Sequence, residues 1–381
     1  MIKILIWTIM PSLHQRPMYM ELKRLGVDLQ VRYFEKILPS RLEQGWPNIE
    51  LDPSWEGYVN CVESPFETVP DWKNRVHIIT GYRHAYLRNI IREFCKYNIE
   101  WIHWSESVVP RFSIKGLMRL FLLKWYGRLV RKYALGSFAM DSVGKRQFIS
   151  WGIDASTVLH LPYSVKLVLD SKSRHVEQIA KFSKGRVIFC YIGSMIKPKG
   201  IDTLLLACIL LKKWGLENKF CVLLVGVEDE NRLVSNYLST YSLSNCVFYF
   251  GKAPMNEVQS ITTSIDVLVH PSRYDGWGAT LSEAALNGKP VISTEAVGSA
   301  RVLIKHGETG IFIPSGDAVK LAKAMMFYTL NPNIIDLHGK SIMSLALEYT
   351  AERNAKRLID GIVFLRFQKN INDAIPNGNL L

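Results

Sequence analysis

Chemistry at fixed spacing is densest in PSRYDGWGATLSEAALNGKPVIST, residues 271–294 of this 381-residue chain. Asp275 opens a Gly-X-Gly turn, and seven residues separate it from Glu283. The run IDVLVHPS before the turn reads as a buried strand. GATLSEAALNGK after it reads as a short helix stopped by Gly288. A strand that runs through a glycine turn into a helix leaves unpaired backbone N–H groups at the helix start, and the helix dipole adds partial positive charge there. Such a place suits a phosphate. Gly276 and Gly278 allow close backbone approach and positive φ. Asp275 would face the reacting end of a ligand held there, and Glu283 would accept hydrogen bonds from sugar hydroxyls. The plainer alternative is that Asp275 caps the helix and Glu283 is a solvated first-turn acid. Spacing alone does not separate the two.

A second stretch, YIGSMIKPKGIDTLLLA (191–207), places a glycine turn and two lysines, Lys197 and Lys199, between a strand and a helix. Ammonium groups over strand ends would neutralise a pyrophosphate and favour its departure as a leaving group. The alternative is a pair of solvated loop lysines.

The elements that position these residues alternate along the chain. IKILIWTI, DLQVRYF, IEWIHWS and LGSFAMD read as strands, with helices at QRPMYMELKRLG, RHAYLRNIIREFCKYN and IKGLMRLFLLKWYGRLVRKYA between them. The alternation restarts after the polar stretch 166–185 with RVIFCYIGS, then GIDTLLLACILLKKWG, FCVLLVGV, a helix over 230–240, CVFYFG, a helix over 255–263 and IDVLVHPS. Two Rossmann-like α/β halves with parallel sheets follow, and the length also asks for two domains. The expected division is 1–168, 169–348, and a returning helix with a frayed tail over 349–381. Ligands in such sheets bind beyond the carboxyl ends of the strands, where both stretches fall.

The ordered blocks GSMIKPKGIDTLLLA, VLLVGV, VFYFGKAP, IDVLVHPSRYDGWGATLSEAALNGKPVIST and GETGIFIPSGD resemble family 4 of the retaining glycosyltransferases, specifically over about 187–318 and loosely in the N-terminal half. The resemblance implies a GT-B fold, with two Rossmann-like domains facing a cleft: an N-terminal acceptor domain and a C-terminal donor domain. It implies that Glu283 holds the ribose hydroxyls of a nucleotide diphosphate sugar and that Asp275 faces the donor sugar. Gly193, Ser194, Gly276, Trp277, Gly278 and Ala279 would line the donor, and Lys199, with Lys197, would meet its diphosphate. His103 in EWIHWSE matches a family histidine at a strand end. Gly298 and Ser299, in what reads as a loop after the next strand, would approach the donor. The implied chemistry needs no metal and no cofactor beyond the donor itself. Three departures stand out: Asp275 where the family has Glu, Ser194 where a basic residue is frequent, and MPSLHQRP in place of a Gly-Gly loop. That last loop offers His14, Gln15 and Arg16 to an acceptor or a phosphate.

The formal net charge of +13 asks for an anionic partner. It is concentrated in 72–150, where fifteen Lys/Arg face four Asp/Glu. On residues 115–134 a helical wheel puts Lys124, Arg128, Arg131 and Lys132 on one side, with Leu117, Leu120 and Phe121 among them. Leu122, Trp125, Tyr126, Leu129 and Tyr133 fall on a core-like side. Bases mixed with exposed apolar side chains suit an anionic membrane surface, as an enzyme with a lipid-linked glycan acceptor would need. The expected function is hexosyl transfer in bacterial polysaccharide assembly (lipopolysaccharide, capsule or exopolysaccharide), at the cytoplasmic face of a membrane. A nucleotide-sugar epimerase of the same fold and a basic nucleic-acid-binding protein are the competing readings. No nucleic-acid motif supports the second, and nucleic acid is not expected as a partner. A dinucleotide dehydrogenase is disfavoured because Leu281 stands where G-x-G-x-x-G needs its last glycine. EDE at 228–230 reads as a solvated loop, not a metal pair. The cysteines Cys61, Cys95, Cys190, Cys208, Cys221 and Cys246 have no metal spacing and read as reduced thiols.

Overall fold

A computed structural model describes residues 2–43, 46–59, 64–81, 85–108, 114–164, 175–228 and 230–374. Cys61, Asp229, the expected boundary at 168/169 and the tail after 374 lie outside the described residues. The chain divides into two compact units. The first comprises residues 1–38, 49–164 and 350–381, and the second comprises 39–48 and 165–349.

The first unit carries β1 (Lys3–Thr8), β2 (Asp28–Tyr33), β3 (Glu56–Tyr58), β4 (Val76–Thr80), β5 (Trp101–Ser105), β6 (Gly136–Ala139) and β7 (Val158–His160). They pair in parallel in the order β3-β2-β1-β4-β5-β6-β7. The centre of this sheet is covered on both faces, so β4 and β5 are buried at every position; β4, VHIIT, is not among the strands expected from the sequence. Its helices include α1 (Arg16–Arg24), α2 (Ala85–Tyr97) and α3 (Ile114–Tyr133). The last helix, α7 (Ala351–Ala374), belongs to this unit. It is pinned by Asn354 donating to Pro162 O at 3.0 Å and by Arg366 pairing with Glu100 at 2.6 Å.

The second unit carries β8 (Val187–Ile192), β9 (Phe220–Val225), β10 (Val247–Gly251), β11 (Val267–His270), β12 (Val291–Ser293) and β13 (Gly310–Phe312), parallel in the order β10-β9-β8-β11-β12-β13. The order reverses between β8 and β11, the switch point where an open sheet leaves room for a ligand. The helices α4 (Ile201–Lys213), α5 (Ala279–Leu286) and α6 (Gly298–Leu303) start beyond the carboxyl ends of β8, β11 and β12. Apolar clusters fill both faces of this sheet. One is built on Phe189, Leu204, Leu224 and Tyr328, the other on Cys190, Leu268, Leu281 and Ile342.

Three local expectations are corrected. The second half of the polar stretch 166–185 is a helix, His175–Ser183, because Ile179 packs into the core of the second unit. The segment after β12 is not a plain loop but contains α6. On α3 the core side is Leu123, Tyr126 and Val130, while Leu122 and Trp125 are 62% and 58% exposed. The cause is Gly127. A Cβ there would lie 2.3 Å from the carbonyl oxygen of Trp151, so the glycine face sits directly against that residue and sets the rotation of the helix. The glycine that weakens α3 intrinsically is what lets it seat.

Candidate functional site

All the donor-side candidates fall in the second unit, on the loops beyond β8 and β11 and on the helices α5 and α6 that start beyond β11 and β12. The loop after β11 leaves the sheet at His270-Pro271 and runs through Asp275 to Gly278, which takes φ +81° as the residue before α5. A Cβ at 278 would also lie 2.6 Å from Val297 Cγ1, so the position needs glycine twice over. No side chain caps α5. Asp275 therefore does not cap this helix, and no described protein carbonyl accepts from the N–H groups of Gly276, Gly278 or Ala279. The Oγ1 of Thr280 is buried without a partner just inside the helix.

The opposite side of this loop is fastened. Gly298 N donates to Asp275 O at 3.2 Å, Ser299 N to Trp277 O at 2.7 Å, and Ser299 Oγ to Gly278 O at 2.9 Å. Asp275 N donates back to Ala296 O at 3.1 Å. Gly298 and Ser299 thus spend their donors on the loop and offer none to a ligand. Trp277 is buried, at 5% exposure, and anchors the turn.

The side chain of Asp275 is the electrostatic centre. Lys199 Nζ donates to Oδ2 at 2.7 Å, and His270 Nε2 meets the same oxygen at 3.1 Å. A carboxylate only accepts, so Nε2 carries the imidazole proton, and the buried Nδ1 is left without a partner. Oδ1 of Asp275 makes no hydrogen bond to the described protein. Burial alone would push this carboxyl up, but the contacts with His270 and Lys199 outweigh it and hold it far below the usual carboxylate range. Glu283 is the contrast. Its backbone carbonyl takes the Asn287 N–H and side-chain amide, while its carboxylate has no hydrogen-bond partner among the described residues. The residue is partly exposed, yet protein atoms crowd its carboxyl, and desolvation pushes it up to about 7. Two acids of one motif sit in opposite states, one fixed as an anion and one poised near neutrality.

The lysine loop is built to reach this place. Lys197–Lys199 form a single 3-10 turn that ends at Gly200, φ +77°, where a Cβ would lie 2.0 Å from Pro271 O. That close approach brings Lys199 over Asp275. Arg273 clasps the turn: it donates from its backbone to Pro198 O at 2.9 Å, from Nη1 to Lys197 O, and from both Nη groups to Asp202 at 2.7 and 2.8 Å. Lys197 is exposed and its ammonium has no partner among the described residues. Gly193 spends its N–H on Val225 O at 2.9 Å, so it offers no amide and only shapes the turn. Ser194 gives its carbonyl to the Tyr191 hydroxyl at 2.7 Å and keeps its N–H and hydroxyl free of described partners.

His103 does not join this group. It lies on β5 in the first unit with no exposed surface, bonded at Nδ1 to the Tyr126 hydroxyl and at Nε2 to Ser105 Oγ, both at 2.9 Å. Burial pushes its pKa down to about 3. It is a neutral core histidine. Arg16 is also committed, pairing with the buried Glu56 at 2.8 Å, and Gln15 is buried before α1. Glu228 of EDE accepts from Ser235 N and Oγ at the start of the next helix, at 3.0 and 2.7 Å. His270, Arg273 and Asp202 belong to the site without standing in either sequence motif's spacing. His270 was legible as the last residue of the β11 run, immediately before Pro271.

The architecture is the GT-B fold. A crystal structure of Anabaena Alr3699/HepE in complex with UDP superposes with a TM-score of 0.73 at 15% identity, over 95% of this chain and 100% of that one. Residues 173–338, which contain every donor-side residue described above, match the family model of glycosyl transferases group 1. The chain is 21% identical over 304 residues to the uncharacterized glycosyltransferase MJ1069 of Methanocaldococcus jannaschii, covering 79% of this chain and 76% of that protein. It is 28% identical over 148 residues to the capsular polysaccharide biosynthesis glycosyltransferase CapM of Staphylococcus aureus, where the match spans 39% of this chain and only 38% of the relative.

Proposed function

We propose that the protein is a retaining, metal-independent glycosyltransferase that moves a hexose from a nucleotide diphosphate sugar to a glycan or lipid-linked acceptor in surface-polysaccharide assembly. The observation that carries the reading is the grouping on one loop surface: Lys199 and His270 on a single oxygen of Asp275, beside uncapped amides of α5 and an unpartnered Glu283 carboxylate. The donor diphosphate lies against the amides of Gly278 and Ala279 and against the ammonium of Lys199, with Lys197 within its field. Glu283 accepts from the ribose hydroxyls. The free Oδ1 of Asp275 receives a sugar hydroxyl near the anomeric carbon. The bond from that carbon to the diphosphate oxygen breaks, and the acceptor oxygen bonds to the same face. The departing phosphate takes the acceptor's proton, so no side-chain base is required, and the fixed lysine and amides stabilise the charge that develops on the leaving group. UDP-sugars lead the screen because the structural relative was solved with UDP. Kinship with a capsular enzyme supports the polysaccharide setting.

The test is a panel of nucleotide sugars offered to the full chain with glycan and lipid-linked acceptors, reading free nucleoside diphosphate and the anomeric configuration of the product. Transfer with retained configuration, unaffected by chelator, supports the proposal. Release of nucleotide only after epimerisation of the sugar, inverted product, or chelator-dependent loss restored by divalent metal overturns it.

A further inference from the structure

Among the described residues of the first unit, the most exposed apolar surface is on α3. Met118, Phe121, Leu122 and Trp125 are 64%, 74%, 62% and 58% exposed within two turns of helix. With 3.6 residues per turn, Met118, Leu122, Trp125 and Leu129 form one stripe, lying between the buried stripe of Leu123, Tyr126 and Val130 and the basic stripe of Lys124, Arg128 and Arg131. A soluble surface rarely leaves so many large side chains contiguous without a use for them.

This stripe forms one wall of a groove of about 470 Å³ between α3 and α2. Leu122, Trp125 and Leu129 supply its apolar floor, and Arg88, Arg92 and Arg119 supply its polar lining; among the described residues no acidic side chain lines it. Arg88 and Arg92 are one helical turn apart on α2, both exposed, and neither pairs with an acid among the described residues. Two uncompensated guanidiniums held side by side over an apolar channel match an anionic phosphate that carries a hydrocarbon chain.

We propose that this groove seats an anionic phospholipid of a bilayer, with its phosphate on Arg88, Arg92 and Arg119 and one acyl chain along Leu122, Trp125 and Leu129. Phe121 and Met118, beside the groove, enter the interface, and the basic stripe of α3 faces the headgroups. This site stands on the first unit alone and holds whether or not the second unit transfers sugar.

The experiment is flotation of the full chain with phosphatidylcholine vesicles, with and without phosphatidylglycerol. Binding is expected only to the anionic vesicles, and an R88A/R92A double variant should partition at least about tenfold less. Lipid-borne quenchers in the acyl region should quench wild-type fluorescence more than that of W125F. Thermal denaturation of each variant controls for folding, and thermal shift by nucleotide sugars should be unchanged in both, since neither change touches the donor loops. Failure of the donor screen with intact vesicle binding would sink the transferase reading and leave this one standing. Three results overturn the groove: no flotation with anionic vesicles, equal flotation of the double variant, or flotation abolished by inorganic phosphate at constant ionic strength. Concentration-dependent dimerisation lost on W125F, in place of lipid binding, would also overturn it.

Discussion

Lys199 and His270 converge on the same carboxylate oxygen of Asp275, leaving the other oxygen of that acid open. The lysine is thereby held in place before any ligand arrives, and the aspartate is held as an anion. A donor diphosphate that takes up part of the lysine's charge meets a group whose ordering cost is already met by the fold. Replacing Lys199 with Met, or Asp275 with Asn, is expected to lower turnover by at least about tenfold, since each tenfold corresponds to about 1.4 kcal/mol of barrier. Steady-state release of nucleoside diphosphate measures it, and wild-type rates in both variants would remove the pair from the mechanism.

Glu283 makes donor binding depend on pH. Its carboxyl is pushed up to about 7 in the unliganded protein, and hydroxyls donating to it favour the ionised form. Affinity for an intact nucleotide sugar, which has no group titrating in this range, is therefore expected to rise from pH 6 to pH 8 with release of a proton. Calorimetry in buffers of different ionisation enthalpy reads that proton directly. The E283Q variant should bind more weakly and show no such slope.

The same group predicts a stability profile of the opposite sense. Folded Glu283 keeps its proton to about pH 7, while the unfolded residue loses it near the ordinary value of 4.5. Between these limits the folded state binds more protons, so the contribution of this residue to stability falls as pH rises and levels off above about 7. Thermal denaturation without ligand should show the wild type losing ground relative to E283Q across that window. Parallel curves would mean that the carboxyl is better solvated than its surroundings imply.

The Arg273–Asp202 clasp is partly exposed, with side-chain exposures of 37% and 18%. An R273A change should cost the fold no more than about 1 kcal/mol. Its main effect should be on the lysine turn, which loses the side-chain contact to Lys197 O and keeps the backbone one to Pro198 O, raising KM for the donor severalfold while the Tm barely moves. A large drop in Tm with unchanged KM would reverse this assignment.

Ser299 tests the fastening of the donor loop. S299A deletes the buried hydrogen bond to Gly278 O at 2.9 Å, while that carbonyl keeps the Leu281 N–H at 3.1 Å, so the cost is about 1 kcal/mol. Hydrogen exchange at residues 276–280 should speed up and donor affinity should fall. Unchanged exchange there would show that Val297 and Trp277 hold the loop without it.

Most elements of both sheets were legible because buried parallel strands announce themselves as apolar runs, as RVIFCYIGS and FCVLLVGV do. Short edge strands such as β3, β7 and β13 carry three residues each and leave no comparable run, and the central β4, VHIIT, was missed because His77 and Thr80 break its apolar run. The acids and lysines of the site were visible as motifs. Their partners were not: Asp202 and Arg273 lie seventy-one residues apart, and only the adjacency of β8 and β11 brings them together. His103 misled because a strand-end histidine looks the same in sequence whether it meets solvent or, as here, a tyrosine and a serine inside the core. The α3 wheel was one step out of register because Gly127 has no side chain to vote with, although its contact with Trp151 decides the rotation.

The carbonyls of Asp275, Trp277 and Gly278 are all taken by residues 298 and 299, on the far side of the donor loop. The segment is thereby sorted by polarity: acceptors turn toward the protein, and the backbone donors of 276, 278 and 279 are left for whatever approaches from the other side. A surface sorted in this way repels cations and pairs with oxygens whatever molecule carries them. It reads the sign of a ligand and not its name, and the identity of the sugar or base must be written in other residues. Those residues can then change without disturbing the grip on the phosphate.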